Sequence, residues 1–191
     1  MSRIVFVGYM GWALVGLRQG WLPETERTAV WFFYVLGLYL TAEWLYRLFL
    51  RRGVDMAFAF PIGLAILGLN VVTIYTGGQD GFPLLNRAEH LVTFVLVAFV
   101  VWVFFMQWLP TGMWQEHPYY TAWTVLGIVT LAGLANEFME LVLDQFFGTR
   151  LVGADGDTVQ DLLMNTLGAV LFLATRLILG EAGWTGEGRR R

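Results

Sequence analysis

Residues 88–109 read AEHLVTFVLVAFVVWVFFMQWL, and beyond Glu89 and His90 the run carries no charged side chain. A helix needs about 20 mostly apolar residues to cross the hydrocarbon core of a bilayer, so this stretch by itself calls for a membrane. Comparable apolar runs lie on either side of it, near 4–22, 28–50 and 56–75 before it and near 121–146 and 158–180 after it. The expected fold is therefore all-α, a polytopic membrane bundle of about six transmembrane helices. It forms a single transmembrane domain over 1–180, followed by a disordered, Gly-rich and charged cytoplasmic tail at 181–191.

The gaps between the runs are short and rich in turn formers: Leu22-Pro23-Glu24, Arg51-Arg52-Gly53, Gly77 to Gly81, Pro110-Thr111-Gly112 and Gly153 to Gly156. None is long enough to fold as a separate soluble module. The first run is the weakest, because Ile4 to Leu17 is short and Arg18 interrupts it. Arg3 with that run has the outline of a signal peptide, but no small-x-small cleavage site follows, and Arg18 can snorkel to the interface. A retained helix is expected.

The composition agrees. The 191 residues are 57% hydrophobic and 14% charged, where a soluble domain carries about a quarter charged residues, and mean hydropathy is +0.60. With no cysteine there are no disulfides, thiolate metal sites or cysteine nucleophiles. All twelve basic residues are arginine, which sets aside Schiff-base and lysine general-base chemistry. A net charge of -3 gives no ground for a nucleic-acid partner. No nucleophile elbow, phosphate loop or nucleotide fingerprint occurs, and no cofactor is expected.

Six crossings put the N-terminus, the 51–55 loop, the 110–120 loop and the tail on one side. That side holds Arg3, Arg47, Arg51, Arg52, Arg176 and Arg189 to Arg191, eight of the twelve arginines. The positive-inside rule then places both termini in the cytoplasm of a cell-membrane protein. Trp21, Trp31, Trp44, Trp108, Trp114 and Trp184 fall near the ends of the runs, as an aromatic belt requires.

Ionisable groups in hydrocarbon are costly unless paired or hydrated, so each one inside a span is a candidate site. In the fifth run Glu137, Glu140 and Asp144 stack along one stripe with Asn136 beside them. In the sixth, Asp157, Asp161, Asn165 and Gly168 share a face, and Gly168 permits close approach of another helix. The fourth run is preceded by Asn86-Arg87, with Arg87 and His90 one turn apart. At 1.5 Å per residue, Glu140 lies roughly 10 Å and Glu137 roughly 15 Å below the outer end of their helix, and Asp161 and Asn165 roughly 5 and 10 Å below the start of theirs. These groups can meet in one cavity that opens outward, with Arg150 and Asp155 at its mouth. The candidate binding residues are Arg87, His90, Glu137, Glu140, Asp157, Asp161, Asn165 and Arg150.

Each also has a structural reading. Asp157 with Gln160 has the form of a helix cap, and Arg87 could serve only to neutralise Glu140 or Asp161. Glu43 and Arg47 are spaced for an intrahelical ion pair, His117 and Glu116 read as loop residues, and Asn70 as interhelical glue.

The oxygen and imidazole donors are of the kind that hold divalent cations, although Glu137-x-x-Glu140 lacks the Glu-x-x-His partner of di-iron bundles. Acid–base chemistry between unlike carboxyl groups and a proton or ion path are the other readings of the same residues. Membrane lipids are the expected partners, with a divalent cation and a second copy of the chain as further candidates.

Asn136-Glu137-Phe138-Met139-Glu140, then Phe147-Gly148-Thr149-Arg150-Leu151, then Asp157-Thr158-Val159-Gln160-Asp161-Leu162 through Asn165-Thr166-Leu167-Gly168-Ala169 resembles the YjdF-like family of small bacterial and archaeal membrane proteins. Arg87-x-x-His90 is similar to that family's Arg/Asp-x-x-His element. VanZ-like proteins are similar in outline. Asn136 and Gln160 stand where the family often has an aromatic residue and a tryptophan. The resemblance covers roughly 85–170 and brings no established activity, VanZ-like proteins being associated with tolerance to cell-wall glycopeptides. Two functions follow as expectations: an external polar cavity that binds or processes a lipid or lipid-linked envelope component, and an ion- or proton-coupled carrier. A structural membrane subunit is the third.

Overall fold

In the computed structural model the described residues are 2–19, 25–75, 83–110, 112–148, 151–152 and 157–183. They form six long helices and one short one, with no strand among them: α1 (Ser2–Gln19), α2 (Thr25–Leu50), α3 (Ala59–Tyr75), α4 (Pro83–Trp108), α5 (Met113–Glu116), α6 (Pro118–Phe147) and α7 (Asp157–Gly183). The fold is the expected all-α membrane helix bundle. Leu84–Trp108, Pro118–Phe147 and Asp157–Leu179 are each long and apolar enough to cross a membrane, and Arg3–Gly16 and Ala59–Thr73 are shorter apolar stretches. Arg150, Asp80, Asp155, Trp21 and Trp184 lie outside the described residues, as does the tail from residue 184.

Helix boundaries differ from expectation for identifiable reasons. α4 and α6 each begin with a proline, at Pro83 and Pro118. Proline is well accommodated in the first turn, where its fixed φ is helical and its missing N–H has no partner to lose. Both helices thus start earlier than 88 and 121, and Asn86 and Arg87 become helical residues on the turn before His90. α7 continues past 180 to Gly183. α6 ends at Gly148, whose φ of 64° is left-handed, and its N–H bonds to Asp144 O at 3.1 Å. The Asp144 carboxylate then accepts the backbone N–H groups of Leu151 and Val152 at 2.8 and 2.9 Å. This membrane-edge acid is thereby bound up in shaping the chain after α6.

Two cores result. In one, Phe94, Ala98 and Trp102 of α4 meet Ala122, Val125 and Val129 of α6 and Ala169 and Leu173 of α7. The α4–α7 contact is the most extensive between any two helices, and Gly168 explains its closeness: a Cβ there would fall 2.4 Å from Leu91 O. In the second core, Phe6, Met10 and Ala13 of α1 pack on Phe32 and Val35 of α2. α1 is thus an integral member of the bundle.

The ends of the helices are tied by arginines on rings. Arg3 pairs with Glu43 and lies 4.7 Å from the Phe60 ring and 5.0 Å from the Tyr46 ring. Arg52 sits 5.8 Å from Trp108, and Arg176 5.4 Å from Trp102. The expected Glu43–Arg47 pair is replaced: Glu43 takes Arg3 of α1 and the Tyr39 hydroxyl, at 3.0 Å from the latter, because the end of α1 brings a guanidinium to it from across the helix pair. At the same end, Asp55 N donates to Gln107 Oε1 at 2.8 Å and Gln107 Nε2 donates to Asp55 O at 2.9 Å, fastening the α2–α3 turn to α4.

Candidate functional site

At the opposite end of α4 the polar residues converge. Asn86 and His90 are four residues apart and share a helical face, which is turned toward α7. Asn86 Nδ2 donates to both oxygens of Asp161 at 3.3 Å. His90 Nδ1 lies 3.0 Å from Asn165 Oδ1, its Nε2 3.6 Å from Asp161 Oδ2, and Nδ1 4.0 Å from Glu137 Oε1. Relative exposure is 8% for His90, 4% for Glu137, 3% for Asp161 and 1% for Asn165, so the cluster is buried in the bundle. Gly133 makes room for it, since a Cβ there would come within 3.2 Å of Asn165 Nδ2.

A second polar group lies beside the first. Glu140, one turn from Glu137, accepts from Asn136 Nδ2 at 2.7 Å, and Asn136 Oδ1 lies 3.5 Å from the Tyr34 hydroxyl of α2. Glu89 accepts from Thr93 Oγ1 at 3.1 Å. These groups face a cavity of about 490 Å³ bounded by α1, α2, α3, α4 and α6. Glu89, His90, Thr93, Asn136 and Glu140 form its polar end, and Phe49, Met56 and Phe60 belong to its apolar far end. His90 is the residue common to cavity and cluster. Asn70 also lines the cavity.

Of the residues singled out by sequence, the structure brings His90, Glu137, Asp161 and Asn165 together and sets Glu140 apart on the cavity wall. Asp157 is half-buried one turn before Asp161, in the first turn of α7, where a carboxylate is favoured by the helix dipole. Arg87 is half-buried, and its Nε has no hydrogen-bond partner among the described residues. Asn86, Glu89 and Asn136, which the sequence placed beside the candidates, and Thr93 and Tyr34 were not in the candidate binding set. The four-residue spacings of Asn86 to His90, Glu89 to Thr93 and Asn136 to Glu140 were the available sign. Tyr34, a tyrosine in an otherwise aromatic run, gave none.

A membrane bundle with a buried polar cluster and an adjoining amphipathic cavity is the class that fold and site define. The model of the family described as "Predicted membrane protein (DUF2238)" matches residues 2–181, and the chain belongs to that family. No curated protein matches it, and no solved structure does.

Proposed function

We propose that the protein binds a lipid or lipid-linked envelope component in the cavity, with the headgroup at the Glu89–His90–Glu140 end and the chain along α2 and α3. The observation that carries this reading is the cavity's polarity: apolar over most of its wall, with convergent polar groups at one end. Its volume of about 490 Å³ is within the usual range of small-molecule sites, about 300–1,000 Å³. Carboxylates and an amide at the polar end suit a headgroup that offers N–H or O–H donors, such as an amine or a polyol. A carrier has less support, because beyond the polar end the lining offers no further carboxylate or histidine: Tyr39 and Tyr46 are followed by Phe49, Met56 and Phe60.

The polar end faces the outside in this proposal. It lies opposite the end where Arg3, Arg52 and Arg176 meet aromatic rings, and cytoplasmic flanks are enriched in arginine. In the cysteine-free background, an impermeant thiol reagent applied to whole cells is expected to label Asp155→Cys and spare Ser2→Cys. The opposite pattern reverses the orientation.

Gly63 provides the test of binding. It lines the cavity at an exposed helix position, and a Cβ added there meets no atom within 4 Å, so Gly63→Phe introduces bulk at the cavity wall. Native mass spectrometry of wild type is expected to show a retained lipid, and that of a folded Gly63→Phe variant to show its loss. Equal retention by both would exclude the cavity as the binding site.

A further inference from the structure

Where α4, α6 and α7 meet, one ring nitrogen of His90 and one carboxylate oxygen from each of Glu137 and Asp161 lie within 4.8 Å of one another. Two carboxylates held this close in a buried interior repel unless something positive lies among them. Hydrogen bonds among the described residues hold Asp161 and His90 but leave one oxygen of Glu137 unaccounted for. Among the described residues Glu137 Oε1 is buried with no hydrogen-bond partner, and its side chain is only 3% exposed. In the tautomer whose Nδ1–H donates to Asn165 Oδ1, 3.0 Å away, the Nε2 lone pair is left toward Asp161 Oδ2 at 3.6 Å.

We propose that His90, Glu137 and Asp161 bind one divalent first-row transition ion of the Zn²⁺ or Mn²⁺ class. One imidazole nitrogen with two carboxylate oxygens is a poor set for Ca²⁺ or Mg²⁺, which take oxygen ligands, and it lacks the soft sulfur that selects Cu(I). Bonds of about 2.0–2.2 Å bring neighbouring donor atoms to roughly 3–3.4 Å of each other, so His90 Nε2 and Asp161 Oδ2, 3.6 Å apart, stand almost in place, and the widest donor separation of up to 4.8 Å closes by about 1.5 Å.

The surroundings are those of metal ligands. Asn165 receives the second ring nitrogen, the contact that commonly fixes tautomer and orientation in a ligating histidine. Asn86 donates to both Asp161 oxygens and holds that carboxylate plane. Three protein ligands leave a coordination position open, as in catalytic rather than structural sites. The inference shares His90 with the lipid reading, but Glu137 and Asp161 do not line the cavity, so loss of metal in Glu137→Gln or Asp161→Asn is read separately from loss of lipid in Gly63→Phe.

The test uses tag-free, full-length protein in detergent, stripped with chelator and dialysed against Zn²⁺ or Mn²⁺. Elemental analysis is expected to give one equivalent of metal per chain, with a chelator-reversible rise in Tm. Glu137→Gln and Asp161→Asn should each weaken binding by about tenfold or more, while Glu116→Gln, an exposed carboxylate outside the set, should not. Where those variants fail to fold, a spectroscopic readout decides. The chain has two histidines, so in a His117→Gln background the ¹⁴N modulation of a single imidazole on bound Mn²⁺ must come from His90. Metal uptake well below one equivalent, undiminished affinity in folded Glu137→Gln and Asp161→Asn, or bound Mn²⁺ without imidazole coupling would each overturn the proposal.

Discussion

The α4, α6 and α7 helices and the α1–α3 helices are built from similarly apolar sequence, yet they pack differently, and their glycines register the difference. In the first group Gly133 and Gly168 are filled in: a Cβ on either would press on a neighbouring helix. In the second, Gly8, Gly11, Gly37, Gly63 and Gly68 are exposed, and a Cβ on any of them would meet no atom within 4 Å, as is also true of the exposed Gly127 of α6; what sets the first group apart is that two of its glycines lie at helix contacts. Small residues at a helix contact let backbones approach, and α4 and α7 exploit this to bring Asn86 and His90 onto Asp161 and Asn165. The α1–α3 side is held by large rings instead, such as Phe6 stacked on Tyr39 with centroids 3.9 Å apart. Rings spaced along helices leave gaps between them, and the cavity lies on that side. The close-packed half therefore carries the buried cluster, and the ring-packed half supplies most of the wall of a binding space.

The comparison is most easily broken at its tightest point. Gly168→Ala places a Cβ 2.4 Å from a backbone oxygen, which no side-chain rotation relieves. The expected loss is about 3 kcal/mol, at the upper end of the overpacking range, measured by thermal or denaturant unfolding in detergent. The same exchange at Gly63 is expected to fall at the other extreme. Alanine is the better helix former by about 1 kcal/mol and meets nothing there, so Gly63→Ala should be neutral or slightly stabilising. A loss at Gly63→Ala as large as that at Gly168→Ala would mean that Gly63 is not the open, outward-facing position described.

How much of this was legible in the sequence depended on periodicity. The six helices were, because uninterrupted apolar runs such as 91–106 have few other readings, and the α4–α7 contact was foreshadowed by Gly168 on the same face as Asp161 and Asn165. The separation of Glu137 from Glu140 was not. Both lie on one stripe three residues apart, yet Glu137 reaches the cluster with His90 while Glu140 lies on the cavity wall with Asn136. Arg3 reaching Glu43 was equally hidden, since the competing Glu43–Arg47 spacing is local and the actual partner lies 40 residues away. Local spacing reveals which residues can face the same way; it does not reveal what lies opposite.

The central claim is that the buried polar residues of α4, α6 and α7 form one coupled site, and a double-mutant cycle on His90 and Asp161 tests it most directly. Thermal stability in detergent with chelator present would be compared for wild type, His90→Gln, Asp161→Asn and the double variant. Each single change leaves its partner buried with a contact missing, so the double change should cost less than the sum of the two, by roughly 0.5–3 kcal/mol as for directly interacting residues. Losses that simply add would show that His90 and Asp161 do not share a site, contradicting the account.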